Sequence, residues 1–397
     1  MQTDDRYRWV AMVVFTLAAS LSFLDRQVLA ALAPTIKTEF AISNKEYGYL
    51  LAAFSFTYAL AAPLAGWFID RVGLNLGISL SVGFWSLVGI ATGFVGGFRS
   101  LLFCRGALGL TESGGIPASG KAVAIYLRPQ ERALGSAFGQ IGISIGMVGA
   151  PVLASALAIR YGWRSAFVVA GLLGFVWIPV WLWVSARIPA QAAEPPKPGE
   201  GIRQMATDRR LWGLIFSNML VMTIYSLWMN WTTVFLVETQ GLTQEQANLR
   251  LAWIPPLFAA LGGLTGGAIS LRFASASSNL PAARMKVALI AAIALLATAA
   301  APQLDNELFA TAAICWSFFW AVAFSVNLYA LPIDYFGPAR AASGIAALTF
   351  AYGAMQTVFS AVVGELIVKH GFAPVCTVIS VFPLAAWAVL RITGRAR

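Results

Sequence analysis

Apolar runs of about twenty residues or more recur from one end of this chain to the other, each long enough to cross a hydrocarbon core as a helix. No other feature of the sequence constrains the fold as much. Inside such a core every backbone N–H and C=O must be paired, which leaves helices and closed barrels, and a barrel strand needs only about half the length of these runs. Twelve runs are legible, near residues 9–35, 46–69, 75–96, 100–126, 133–159, 165–186, 211–237, 248–271, 284–302, 307–332, 342–366 and 372–391. The expected fold class is therefore an all-α polytopic membrane protein with twelve transmembrane helices. Of the 397 residues only 11% are charged, less than half the share usual in soluble domains. The first run follows Arg6 and Arg8 as a signal peptide would, but it resumes through Val28 to Pro34 without a cleavage site and stays as the first helix.

A net charge of +10 could point to nucleic acid, but its distribution points elsewhere. With the amino terminus inside, seventeen of the 27 Lys and Arg fall in cytoplasmic segments, seven in outer ones, and Arg26, Arg105 and Lys121 lie within the runs. That bias puts both termini in the cytoplasm, as expected for a multi-pass protein of a bacterial inner membrane, and no nucleic-acid partner is expected. Cys104, Cys315 and Cys376 are far apart and inside apolar runs, so neither a disulfide nor a metal site is expected. His370 is the single histidine, at the outer end of the eleventh run. Proton chemistry within the membrane would fall to carboxylates.

The one long polar break contains Ile188-Pro-Ala-Gln-Ala-Ala-Glu-Pro-Pro-Lys-Pro-Gly-Glu-Gly201 and reads as a cytoplasmic linker over 187–210. It separates an amino-terminal six-helix bundle, 1–186, from a carboxy-terminal one, 211–397. An internal repeat supports two pseudo-symmetric bundles. Residues 126–135 align with 335–344, and Tyr, Pro, Ala and Gly coincide at the loop between the fourth and fifth helices of each half.

Charges inside the runs are the candidates for chemistry, because burying them costs a few kcal/mol or more and they usually face a bundle interior or a water-filled path. Arg105 and Glu112 are seven residues apart, two helical turns, so they share one face about 10 Å apart. Asp25 and Arg26 stand side by side near the outer part of the first helix, yet below the surface, since Val28 to Pro34 continues it. A structural ion pair, or self-neutralisation of Asp25 by Arg26 near the interface, is the alternative to a transport site. The glycines around Arg105, from Gly106 to Gly120, and Pro117 favour a bent, closely packed segment of the transport kind. A guanidinium presents a planar fork that fits a carboxylate, so Arg105 is the first choice for a substrate anchor and Arg26 the second. Asp25 and Glu112 are the candidate proton carriers, gaining or losing protons as the arginines exchange partners.

The second half holds no deep charge apart from Glu365, near an outer helix end. Its mid-span hydroxyls, amides and indoles supply further candidates for substrate contact: Tyr225, Asn230, Trp316, Tyr352 and Gln356, with Tyr58 from the first half. In the fifth helix Gly135, Gly139, Gly142, Gly146 and Gly149 precede Pro151 at three- and four-residue spacing, which allows close helix packing. A phosphate loop is excluded there, since no strand precedes it and no Lys follows at the required place.

Gly66-Trp-Phe-Ile-Asp70-Arg71-Val-Gly73 sets an acid and a base at a tight inner turn that Gly73 permits. The string resembles the inner-loop motif of the major facilitator superfamily, although Leu74 and Asn75 stand where further bases are usual, and it makes Gly66, Asp70, Arg71 and Gly73 candidates for an inner gate. Phe23-Leu-Asp-Arg26, the stretch 47–58, the stretch 103–121 and Ala252-Trp-Ile-Pro-Pro256 narrow the resemblance to the anion:cation symporters of that superfamily, and among them to bacterial hexuronate and galactonate transporters. Asp25, Arg26, Arg105 and Glu112 fill all four charged places of that pattern, while Phe23 stands where some sugar-acid transporters carry tyrosine.

The resemblance implies the major facilitator fold and proton-driven uptake of an organic anion by a monomer. It also implies carboxylates that carry protons, an arginine that holds the substrate carboxylate, and no cofactor beyond the proton gradient. An exporter of drugs or of lysolipids, as in spinster relatives, is the competing transporter reading. The interrupted pattern after Pro151 and the dense charge tell against drug export. A membrane-embedded enzyme is disfavoured, because no His-Asp pair, metal cluster or nucleophile with an adjacent base occurs in the runs.

Overall fold

The computed structural model describes residues 2–127, 132–188, 207–277, 280–336 and 338–394. Every regular element among them is helical. The first part comprises α1 (Gln2–Phe40), α2 (Asn44–Val72), α3 (Leu74–Thr92), α4 (Phe98–Glu112), α5 (Gly115–Tyr126), α6 (Arg132–Tyr161) and α7 (Arg164–Ser185). Next come α8 (Arg209–Glu238) and α9 (Gln244–Gln246), which runs into a π-helical Ala247–Ala252. They are followed by α10 (Pro255–Ser277), α11 (Leu280–Ala294) with a 3-10 continuation Leu295–Gln303, α12 (Glu307–Phe336), α13 (Pro338–His370), α14 (Phe372–Ser380) and α15 (Phe382–Thr393).

Eleven described stretches are long and apolar enough to cross a membrane. The expected crossing that differs is 100–126, which is two helices of 15 and 12 residues parted by Ser113 and Gly114. The cause is local: Pro117 has no N–H to return to the Ser113 carbonyl, so the helix is interrupted and restarts. The last crossing is likewise jointed at Val381, just before Pro383.

By internal contacts the chain forms two compact units, Met1–Pro195 with Gln244–Trp253, and Pro196–Thr243 with Ile254–Arg397. The sequence assigns 211–397 as a block to the second bundle, whereas 244–253 packs with the first unit. Two amides explain this. Gln244 Oε1 accepts from the Thr35 N–H at 2.9 Å, and Asn248, fully buried, donates to Ala31 O at 2.7 Å and to Ser155 Oγ at 3.0 Å. Both amides therefore grip α1 beside Pro34. Most of the expected linker 187–210, and the loop residues of the 126–135 and 335–344 repeat, lie outside the described residues.

In the first unit helices approach through small residues. A Cβ on Gly142 would meet Thr16 O at 2.3 Å, and one on Gly146 would meet Ser20 O at 2.3 Å, so α6 lies backbone to backbone against α1. Between them and α3, α5 and α7 sits an aromatic core in which Phe15 stands edge-on to Trp181 at 4.6 Å and Trp177 donates to Val14 O at 2.7 Å. The second unit packs α10 on α12 at Gly262 and Gly266 in the same manner, around a core that includes Leu214, Phe324 and Leu348.

Candidate functional site

Burial of charge defines the site. Asp25, Arg105 and Glu112 are 4%, 2% and 0% exposed, and Arg26 sits beside them on α1. Arg26 Nε donates to Glu112 Oε2 at 2.6 Å, and Ser22 Oγ donates to the same oxygen at 3.1 Å while accepting from an Arg26 amino group at 3.3 Å. Ser22 and Arg26 are one helical turn apart, which is why both reach one carboxylate. Three rings surround the Arg26 guanidinium, Phe23 at 4.7 Å, Phe54 at 4.9 Å and Tyr58 at 4.7 Å from Cζ to centroid. The ion pair thus joins α1 to α4. It is neither the Arg105–Glu112 pair nor the Asp25–Arg26 pair that the sequence leaves open as structural alternatives.

Arg105 is held differently. Its Cζ lies 5.1 Å from the Phe54 centroid, and its Nε has no hydrogen-bond partner among the described residues. Asp25 Oδ2 and Glu112 Oε1 are likewise buried without a partner. Neighbours in sequence diverge here: a Cβ on Gly89 would lie 3.9 Å from Asp25 Oδ1 and 3.6 Å from Gly171 Cα, so Asp25 faces the crossing of α3 and α7 while Arg26 faces α2 and α4. Asp25 remains within electrostatic reach of Glu112, Arg105 and Arg26. The arrangement sets one closed ion pair beside a guanidinium with an unmet Nε and a carboxyl with an unmet Oδ2, and each unmet polar atom is costly to keep in a buried place.

At the inner turn Gly73 has φ +92° and its N–H closes on Ile69 O at 3.1 Å, a backbone that side chains disfavour. Arg71 lies over Trp67 at 5.4 Å, a Cβ on Gly66 would be 3.8 Å from Pro117, and the side chain of Asp70 lies outside the described residues. Lys121 on α5 donates to Ile69 O at 2.9 Å, and Tyr126 donates to Asn75 Oδ1 at 3.3 Å.

The second-unit candidates sit on α8, α12 and α13. Tyr225 stands edge-on to Phe318 at 5.3 Å, and Asn230 donates to Ser226 O at 2.9 Å within its own helix. Tyr352 and Gln356 are half-buried on α13. Trp316 is 46% exposed with its indole N–H on Ala294 O at 2.8 Å, a packing contact.

Sequence reasoning missed Ser22, Phe54, Gln244 and Asn248. The four-residue spacings of Ser22 to Arg26, Phe54 to Tyr58 and Gln244 to Asn248 were the available signals.

The sequence profile of the Major Facilitator Superfamily matches residues 15–389. A hexuronate transporter of Escherichia coli (strain K12) is 28% identical over 407 aligned residues, covering 97% of this chain and 94% of that protein. A galacturonate transporter of Dickeya chrysanthemi is 28% identical over 284 residues, 67% of this chain and 82% of that one. Among solved structures, a bacterial homologue of the human lysosomal transporter Spinster superposes with a TM-score of 0.78 at 20% identity, covering 98% of this chain and 95% of the other.

Proposed function

The chain belongs to the major facilitator superfamily, and from that premise we propose that this transporter takes up a small organic anion together with protons. The anion is a hexuronate or aldonate sugar acid or another small monocarboxylate, moved by alternating access with both chain ends on the cytoplasmic side. Relatives that carry hexuronate and galacturonate support the substrate class. The observation that carries the reading is Arg105: a buried guanidinium with an unmet Nε, beside an Arg26–Glu112 pair that is already closed.

An anionic carboxylate satisfies such a fork with two charge-assisted hydrogen bonds that water cannot screen there. Protonating Glu112 from outside cancels the charge that Arg26 balances, and releases Arg26 to join Arg105 on the anion. Losing that proton to the inside restores the 2.6 Å pair, and the anion is expelled. Asp25, which has no cation hydrogen-bonded to it among the described residues, takes a second proton without breaking any pair.

Proteoliposomes with an inward proton gradient test this. The wild-type protein accumulates D-glucuronate or D-galacturonate, Glu112→Gln loses accumulation while keeping counterflow, and Arg105→Ala weakens binding by about tenfold to a hundredfold, as for one lost charged hydrogen-bond set. Undiminished gradient-driven accumulation by Glu112→Gln overturns the proton role, and wild-type affinity in Arg105→Ala removes that residue from the site. A thermal-shift panel of glucuronate, galacturonate, galactonate, lactate and aromatic acids at two pH values identifies the anion.

A further inference from the structure

Tyr47, Phe54 and Tyr58 are spaced by seven and four residues, which aligns them along one face of α2. The Phe54 and Tyr58 rings lie against the arginines. The Tyr58 ring lies 4.7 Å from Arg26 Cζ, and Tyr47, 1% exposed, is within electrostatic reach of Arg105. Phe54 stands between, serving both cations with one ring, 4.9 Å from Arg26 Cζ and 5.1 Å from Arg105 Cζ.

That ring has little freedom. A Cβ on Gly109 would fall 2.2 Å from Phe54 O, so α2 and α4 touch backbone to backbone at this level, and Thr57 Oγ1 donates across to Gly106 O at 2.7 Å. The ring is also stacked on Tyr58, centroids 5.8 Å apart and planes 29° apart. Its position is therefore set by the helix crossing.

An extended guanidinium two turns from a carboxylate on the same helix face can close on it. Arg105 and Glu112 Oε1 do not. An aromatic face offers a desolvated guanidinium an attraction that asks for no hydrogen bond and leaves its N–H groups free at the edge.

Resting on the transport-site reading above, we propose that Phe54 is a positioning residue. Its ring confines Arg26 to Glu112 and holds Arg105 off Glu112 Oε1, so that Arg105 keeps its donors for the substrate carboxylate. Without the ring Arg105 falls onto Glu112, and the anion must compete with an internal carboxylate.

Binding of radiolabelled D-galacturonate to the purified full-length protein tests it. Phe54→Leu keeps an apolar side chain but no ring, and weakens binding at least about tenfold, the weight of a desolvated cation–aromatic contact. Phe54→Tyr and Phe54→Trp stay within about threefold of wild type, since either ring supplies the face. Phe54→Leu/Glu112→Gln binds as Glu112→Gln does alone, because the competing carboxylate is gone, and a merely structural loss would not be rescued this way.

A second measurement needs no ligand. In a melting-temperature cycle, Glu112→Gln lowers stability more in the Phe54→Leu background than in wild type, because there it breaks two ion pairs. Wild-type affinity in Phe54→Leu, or additive melting shifts, overturns the proposal. If Arg105→Ala weakens galacturonate binding as expected while Phe54→Leu leaves it intact, only the role of Phe54 fails. If the wild-type protein binds none of the acids in the panel above, the transport reading fails, and the melting cycle still decides Phe54.

Discussion

Asp25 shows at the scale of single residues how far the chain can be read before it folds. Four ionisable groups inside apolar runs are conspicuous in the sequence; Asp25, Arg105 and Glu112 are buried in one unit, and Arg26 is half-buried beside them. Their pairing was not legible, because spacing along a helix says which residues share a face and nothing about which neighbouring helix that face meets. Arg105 and Glu112 share a helix, yet Glu112 binds Arg26 from α1, and Asp25 turns to the Gly89–Gly171 crossing. A buried carboxyl oxygen without a donor is a standing cost, kept where function requires it. Asp25→Asn keeps the shape and removes the charge. The purified variant is expected to melt no lower than wild type and to retain counterflow of the sugar acid, while proteoliposomes lose accumulation driven by a proton gradient. Accumulation at the wild-type level would show that Asp25 carries no proton.

At the scale of elements, the glycine spacing in the fifth helix forecasts close packing, and α6 does lie on α1. Among the described glycines of the series Gly142 and Gly146 meet backbone there, while Gly149 faces open space, a distinction that depends on the crossing point and not on the period. Gly146→Ala puts a methyl 2.3 Å from Ser20 O and 3.0 Å from Phe23 Cβ, one turn from Asp25 and Arg26. Overpacking of this kind costs about 1–3 kcal/mol, and because it displaces the helix that carries the pair, melting temperature and sugar-acid affinity should fall together. Affinity unchanged in a destabilised variant would separate the crossing from the site. The π-helical segment is not legible in the sequence, since one continuous crossing over 248–271 hides that Asn248, with Gln244 just before it, addresses α1. Asn248→Ala leaves Ala31 O and Ser155 Oγ without that donor in a fully buried place. The expected loss is about 1–3 kcal/mol, read as a lower melting temperature and faster amide exchange at residues 31–36; exchange at the wild-type rate would show that the amides do not secure α1.

Over the whole molecule, the buried carboxylates among the described residues, Asp25 and Glu112, both belong to the first unit. Buried amides of the second unit mostly serve its own backbone: Asn218 donates to Leu348 O at 2.8 Å, and Asn327 to Gly266 O at 3.2 Å and Ala323 O at 2.9 Å. Composition shows that such residues are present in the second half; it does not say which of them the helices consume. The proposed orientation in the membrane rests on a different asymmetry, seventeen basic residues against seven on alternate sides. Cysteine labelling can test it with little background, because Cys104, Cys315 and Cys376 are all free and buried. Thr207 and Thr239 are exposed and flank α8 at opposite ends, about 45 Å apart at 1.5 Å per residue. Introduced singly as cysteine, Thr239→Cys should react with a membrane-impermeant maleimide on intact cells, and Thr207→Cys only after permeabilisation. The reverse pattern would turn the protein over in the bilayer. The Arg26–Glu112 pair would then be approached from the opposite compartment, and the direction of proton-driven transport would change from uptake to export.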